Sequence, residues 1–158
     1  MRCYRPLHDR VDGAEVLMLT TTRHQDVLRP LLVVMSVAFV VSVVHYIDNT
    51  VNYTDYPQLE PGSALPNPSQ TVIGSAWFVF TAFGALGLWW FVRGRITAAA
   101  VAIAVYSGSG LVGFAHYAVP GATDMVWWRQ VHVIADIICG LLLFAFALWS
   151  VVALREKT

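Results

Sequence analysis

The sequence predicts an all-α integral membrane protein, a four-helix bundle with both termini in the cytoplasm, and three observations lead there. Apolar residues make up 57% of the chain, and the mean hydropathy is +0.60. Charged residues make up 13%, about half of the roughly 25% usual in a soluble domain. The charges are also confined: between Pro30 and Val152 they are Asp48, Asp55, Glu60, Arg93, Arg95, Asp124, Arg129 and Asp136. What separates them is apolar and long, as a bilayer demands of spans of about 20 residues.

The segment 1–28 reads as cytoplasmic. Arg2 and Arg5 are followed by polar residues and not by an apolar core with a small-residue cleavage site, so no secretory signal is expected. Met18 offers an alternative translation start. The four-span domain covers 29–154. Its first span, about 31–47, is rich in Val, yet lipid favours a helix because every backbone group must be bonded within the segment. The connector 48–70 carries Pro57, Pro61, Pro66 and Pro68 with three acidic residues and no Lys or Arg, and reads as a loop. The second span, about 71–92, ends on Trp89, Trp90 and Phe91, an interfacial aromatic belt. Arg93, Gly94 and Arg95 leave room only for a short turn, so spans two and three form an antiparallel hairpin. The third span runs over about 96–118 and closes at Pro120 and Gly121. The fourth, about 126–152, opens on Trp127 and Trp128 and leads to the tail 155–158.

Basic residues set the orientation. Arg2, Arg5, Arg10, Arg23 and Arg29 precede span one, Arg93 and Arg95 follow span two, and Arg155 and Lys157 end the chain. Arg129 alone stands on the other side. The positive-inside rule therefore puts the termini and the Arg93–Arg95 turn in the cytoplasm. The expected location is a bacterial cytoplasmic membrane. A formal net charge of zero gives no reason to expect a nucleic-acid partner. Cys3 and Cys139 are expected at different depths, so no disulfide is expected. Gly74, Thr81, Gly84 and Gly87 on span two, and Ser107, Ser109, Gly110 and Gly113 on span three, mark close-packing faces.

Three histidines fall in the outward half: His45, His116 and His132. Met35, Ala38, Ser42, His45 and Asn49 follow steps of three and four along one bundle seam. Arg129, His132, Asp136 and Cys139 do so on span four, and Ser109, Gly113 and His116 on span three. Asp48 shares a face with His45, and Asp136 with His132. Ionisable groups at membrane depth are costly and suggest function. Three imidazoles with an open position would suit a metal ion, zinc first, with iron or copper next. A haem between two histidines also stays open. Asp48 or Asp136 would then serve as general base or as the partner that orients a ring. Asn49, Tyr46, Tyr117 and Arg129 are candidates for ligand or supporting contacts. The competing reading is structural: His45, Asp48 and Asn49 finish a helix near the headgroups, and His132 with Asp136 pins span four. Arg129 would then snorkel to the surface, although on the His132 seam it could hold a phosphate or carboxylate, and Tyr46, Tyr53, Tyr56, Trp127 and Trp128 would form the outer aromatic belt, with lining of a ligand entrance as the alternative.

In residue type the cluster resembles that of the alkaline ceramidase and adiponectin-receptor hydrolases, seven-span proteins that use three His on zinc with nearby Asp. The resemblance implies metal-assisted chemistry on a lipid-like or hydrophobic substrate drawn from membrane lipid. Two alternatives stand beside it: an accessory subunit that packs against partner membrane subunits or its own copies, and an oligomeric transporter.

Overall fold

The computed structural model describes the backbone of residues 8–60 and 67–154, with side chains from residue 26 onward. Arg2, Cys3, Arg5, Arg155 and Lys157, and the side chains of Arg10 and Arg23, lie outside the described residues. So do the start at Met1 or Met18 and the pairing of Cys3; Cys139 is a buried free thiol.

The regular structure among the described residues is helical. Five helices follow one another: α1 (His8–Val51), α2 (Gln70–Val92), α3 (Ile96–Leu111), the short α4 (Phe114–Tyr117) and α5 (Trp127–Ala153). Two 3-10 turns, Tyr53–Asp55 and Ala122–Asp124, lie in the loops. Four stretches are long and apolar enough to cross a membrane: Asp26–Val51, Gln70–Val92, Ile96–Tyr117 and Trp127–Ala153. The chain divides into two compact units, Met1–Val33 and Val34–Thr158. The first holds the start of α1, where Pro30 has no N–H for the helix ladder. The second holds the rest of α1 and every other element.

Inside the second unit small polar residues share the interior with the apolar core, and the outer faces are apolar. Ser42, Ser107 and Ser150 are buried, while Val40, Phe78 and Val152 are 60%, 69% and 86% exposed. Large apolar side chains on the outer faces are what lipid covers, and small residues inside let helix backbones approach. The interior hydroxyls bond back to their own helices, Ser107 Oγ to the Ala104 carbonyl at 2.7 Å and Ser150 Oγ to that of Ala147 at 2.9 Å. Gly84 and Gly87 seat α2 on α3: a Cβ at Gly84 would lie 2.9 Å from the Tyr106 ring, and one at Gly87 2.8 Å from Ile103. α3 and α5 cross still more closely, backbone on backbone, where Gly110 meets Asp136 and Gly140 meets Ser107.

Two helix boundaries differ from the sequence reading, and both matter for the site. α1 continues through Val51 instead of ending near 47, so Asp48 and Asn49 are helical and buried. Span three is not one helix to 118. At Gly113 the chain tightens, with its N–H on the Gly110 carbonyl at 2.9 Å, and helix resumes as α4. Gly113 sits against Ile137, where a side chain would be 2.9 Å from Cγ1. His116 therefore belongs to α4, not to the Ser109 face of α3. The hairpin turn is as expected: α2 ends at Val92, Gly94 takes φ +73°, and α3 begins at Ile96. Such a φ is open to glycine without strain.

Candidate functional site

The last two turns of α1 place His45, Asp48 and Asn49 at helical spacing on one side, with Asn52 just past the helix end, and the first turns of α5 do the same for Arg129, His132 and Asp136. The two rows meet. His45 Nδ1–H donates to Asp136 Oδ2 at 2.7 Å, with both side chains nearly inaccessible, at 3% and 2%. An ionised carboxylate can only accept, which assigns that proton to Nδ1. Asp48 is the second junction. Its Oδ2 accepts from Arg129 Nε at 2.8 Å and from the Tyr56 hydroxyl at 2.6 Å, and its Oδ1 from Asn52 Nδ2 at 2.6 Å. Arg129 also reaches Asp55 Oδ2 at 3.2 Å, and its guanidinium lies 5.0 Å from each of the Tyr56 and Trp128 ring centres. Burial and donation to Asp48 push the Tyr56 phenol well above its ordinary value.

The three histidines come together. The His45 ring centre is 5.6 Å from that of His116 and 5.5 Å from that of His132. Asn49 Nδ2 donates to His116 Nε2 at 3.1 Å. Three ring nitrogens stay buried without a hydrogen-bond partner: Nε2 of His45 and both nitrogens of His132. His132 Nε2 stands 3.4 Å from Asp48 Oδ2, close enough for attraction between charges but not aligned as a hydrogen bond. Among the described residues, no group of three or more His, Cys, Asp and Glu is arranged to hold a metal ion.

No known protein family, curated protein or solved structure matches this chain.

Beside the cluster lies a cavity of about 340 Å³. α1 contributes His45, Tyr46 and Asn49 to its wall, α2 contributes Val72, Ile73, Ala76 and Phe80, and the end of the third span contributes Val112, Ala115 and His116. The loops roof it with Tyr53, Tyr56, Gln58 and Asn67. Hydrogen bonds hold that roof: Tyr53 hydroxyl to the Pro68 carbonyl at 2.9 Å, and Asn67 to the Leu59 backbone in both directions. A Gln70 amide bond to the Thr50 carbonyl ties the start of α2 to the end of α1. The volume is near the lower end of the ~300–1,000 Å³ of small-molecule sites.

Several residues differ from their sequence-level reading. Arg129 does not snorkel; it is 5% exposed and paired. Tyr46 and Tyr56 are buried and bonded, Tyr46 to the Ser109 carbonyl at 3.1 Å, while Trp127 and Trp128 remain exposed as belt residues do. Asp136 pairs with His45 on another helix and not with its neighbour His132. Asp48 is engaged by three donors and Asp136 by an imidazole, so the geometry fits ring orientation by Asp136 better than base chemistry by either. Tyr117 packs at the edge of Tyr56, Met125, Val133 and Ile137, with its hydroxyl unpartnered. Around Asp48 the structure adds Asn52 and Tyr56, with Asp55, 57% exposed, on the far side of Arg129. Asn52 follows Asp48 by four residues, a helical spacing, whereas nothing in a proline-rich loop marks Tyr56 as a partner of Asp48.

Proposed function

We propose that this protein is a membrane-embedded binding site for a lipid-like molecule, which lies in the cavity with its polar end toward Asn49, His116 and His45. The observation that carries this reading is the cavity itself, apolar along α2 and polar where α1 meets α4 and along the loop that roofs it. Its volume suits one small amphiphile or the end of a longer one. The distribution of basic residues supports an outward-half location, with the termini cytoplasmic. The Asp136 and Asp48 junctions would hold the polar wall rigid, so that ligand binding need not order it. Solvent extraction of protein purified in mild detergent should then release a stoichiometric amphiphile. Ala76→Phe, which places a ring in the cavity, should remove it. An extract containing detergent alone would sink the reading.

The unpartnered nitrogens favour a second reading, a metal ion at the same cluster, zinc first and iron or copper next. A metal 2.0–2.1 Å from two imidazole nitrogens in tetrahedral array separates the ring centres by about 5 Å, close to the spacings of 5.5 and 5.6 Å. Asp136 on His45 Nδ1 is the kind of outer carboxylate that orients a metal-binding histidine. His116 would have to leave Asn49 to complete the set. Elemental analysis of the purified protein should find a stoichiometric metal that disappears in His45→Ala and His132→Ala. A metal-free protein that still carries its amphiphile would reject this second reading and leave the first intact.

A further inference from the structure

Building on the lipid-like reading of the cavity, we infer that the occupant is uncharged: an amphiphile ending in a hydroxyl or ester oxygen, not in a carboxylate, phosphate or ammonium group. Among the described residues, the cavity wall contains no Lys, Arg, Asp or Glu. The charges just behind it already have partners. Arg129 is shared between Asp48 and Asp55, and Asp136 is held by His45. An anionic head would meet no free cation among the described residues and would approach the carboxylates of Asp48 and Asp136. A cationic head would find both of those carboxylates engaged. Either would be a desolvated charge without a partner, which costs far more than a buried neutral group with one hydrogen bond.

The polar groups of the wall narrow the class further. The hydroxyls of Tyr46, Tyr53 and Tyr56 each donate elsewhere, to Ser109, Pro68 and Asp48. The Gln58 amide donates to the Tyr53 and Tyr56 carbonyls. What remains for a ligand is the unpartnered His45 Nε2 together with Asn49 and His116, the last two held to each other by a single 3.1 Å bond. One neutral oxygen suffices to replace that bond, because amide and imidazole each offer donor or acceptor character. The remaining wall is apolar and suits a chain.

The test uses the full chain in lipid nanodiscs, titrated with dodecanol, methyl dodecanoate, dodecanoate and dodecylamine. Native mass spectrometry and thermal unfolding provide the readouts. Dodecanol and the methyl ester should bind saturably, and at least about tenfold more tightly than the two charged probes, a factor worth about 1.4 kcal/mol. Ala76→Phe should abolish binding, and the milder Ala115→Leu should weaken it in a bundle that still unfolds cooperatively. Dodecanoate or dodecylamine binding as tightly as dodecanol would overturn the neutral-ligand inference while leaving the cavity a lipid site. Uptake of all four probes that ignores both substitutions, or no saturable uptake at all, would overturn both.

Discussion

Gly110→Ala is expected to lower the unfolding free energy of the bundle by about 3 kcal/mol or more, at or beyond the upper end of the usual cost of overpacking. The reason is what the new methyl would strike. It would collide with the carbonyl oxygen of Asp136 and lie 2.9 Å from the carbonyl carbon and 3.1 Å from the Gly140 nitrogen. These are backbone atoms of α5, which cannot rotate away as a side chain can. α3 and α5 would have to separate, and Asp136 would move with its helix, away from His45. The loss should therefore appear twice, as a lower midpoint in denaturant and, under the proposed function, as weaker binding of an amphiphile. Gly74→Ala is the control. Its methyl would meet only the Thr50 side chain, at 3.6 and 3.7 Å, which is ordinary contact, so its change should stay within the ±0.5 kcal/mol typical of benign positions. Equal stability of the Gly110 and Gly74 variants would mean that α3 and α5 do not cross as described.

Arg129→Met is expected to cost about 3–5 kcal/mol, because it leaves Asp48 as a buried charge without its counter-ion. The two side chains of this pair are 7% and 9% exposed, so water cannot take over the role of the lost partner. Asp48→Asn should cost less, since Arg129 retains Asp55, whose side chain is 57% exposed. Pairing Arg129→Met with Asp48→Asn should recover part of the loss, and a double-mutant cycle would measure the coupling. No coupling would show that the two residues act independently.

Tyr56→Phe tests the same junction from its neutral side. Removing a hydrogen bond to a charged acceptor should cost about 1.5–3 kcal/mol. Its pH dependence has a definite sign. The folded phenol is held above its ordinary value of 10.0, the proton being favoured by burial and by Asp48. The stability it contributes is therefore complete below about pH 10 and is lost as the pH rises toward the folded value. The difference in unfolding free energy between native protein and Tyr56→Phe should thus be flat through neutrality and shrink in alkali. A difference that grows in alkali would contradict the Tyr56–Asp48 bond.

The extent to which the site could be read from sequence follows from the range of each interaction. Seams of three and four residues bring His45 with Asp48 and Asn49, and His132 with Asp136, onto common faces, because helical periodicity is local. Those rows also point inward: Ser42, His45, Asn49, Arg129, His132 and Asp136 are all buried. Periodicity cannot say which row faces which. The pairings of His45 with Asp136, Asp48 with Arg129, and Asn49 with His116 span 91, 81 and 67 residues of sequence. They depend on how far α3 and α5 approach at Gly110 and Gly140, and on the break at Gly113 that turns His116 onto α4.

The sequence by itself determined that the chain is helical, that four stretches are long and apolar enough to span a bilayer, and that its polar residues gather toward one end. Hydropathy, charge depletion and helical phase are properties of neighbouring residues, so they survive without knowledge of the fold. Only the tertiary structure decided that Arg129 is a buried partner of Asp48 and not a surface cation. It alone revealed that Tyr56 returns from the loop to cap that pair, and that α1, α2 and α4 leave a cavity beside the histidines. Those outcomes depend on contacts between segments far apart in sequence, where packing geometry selects one pairing among several that local chemistry allows equally.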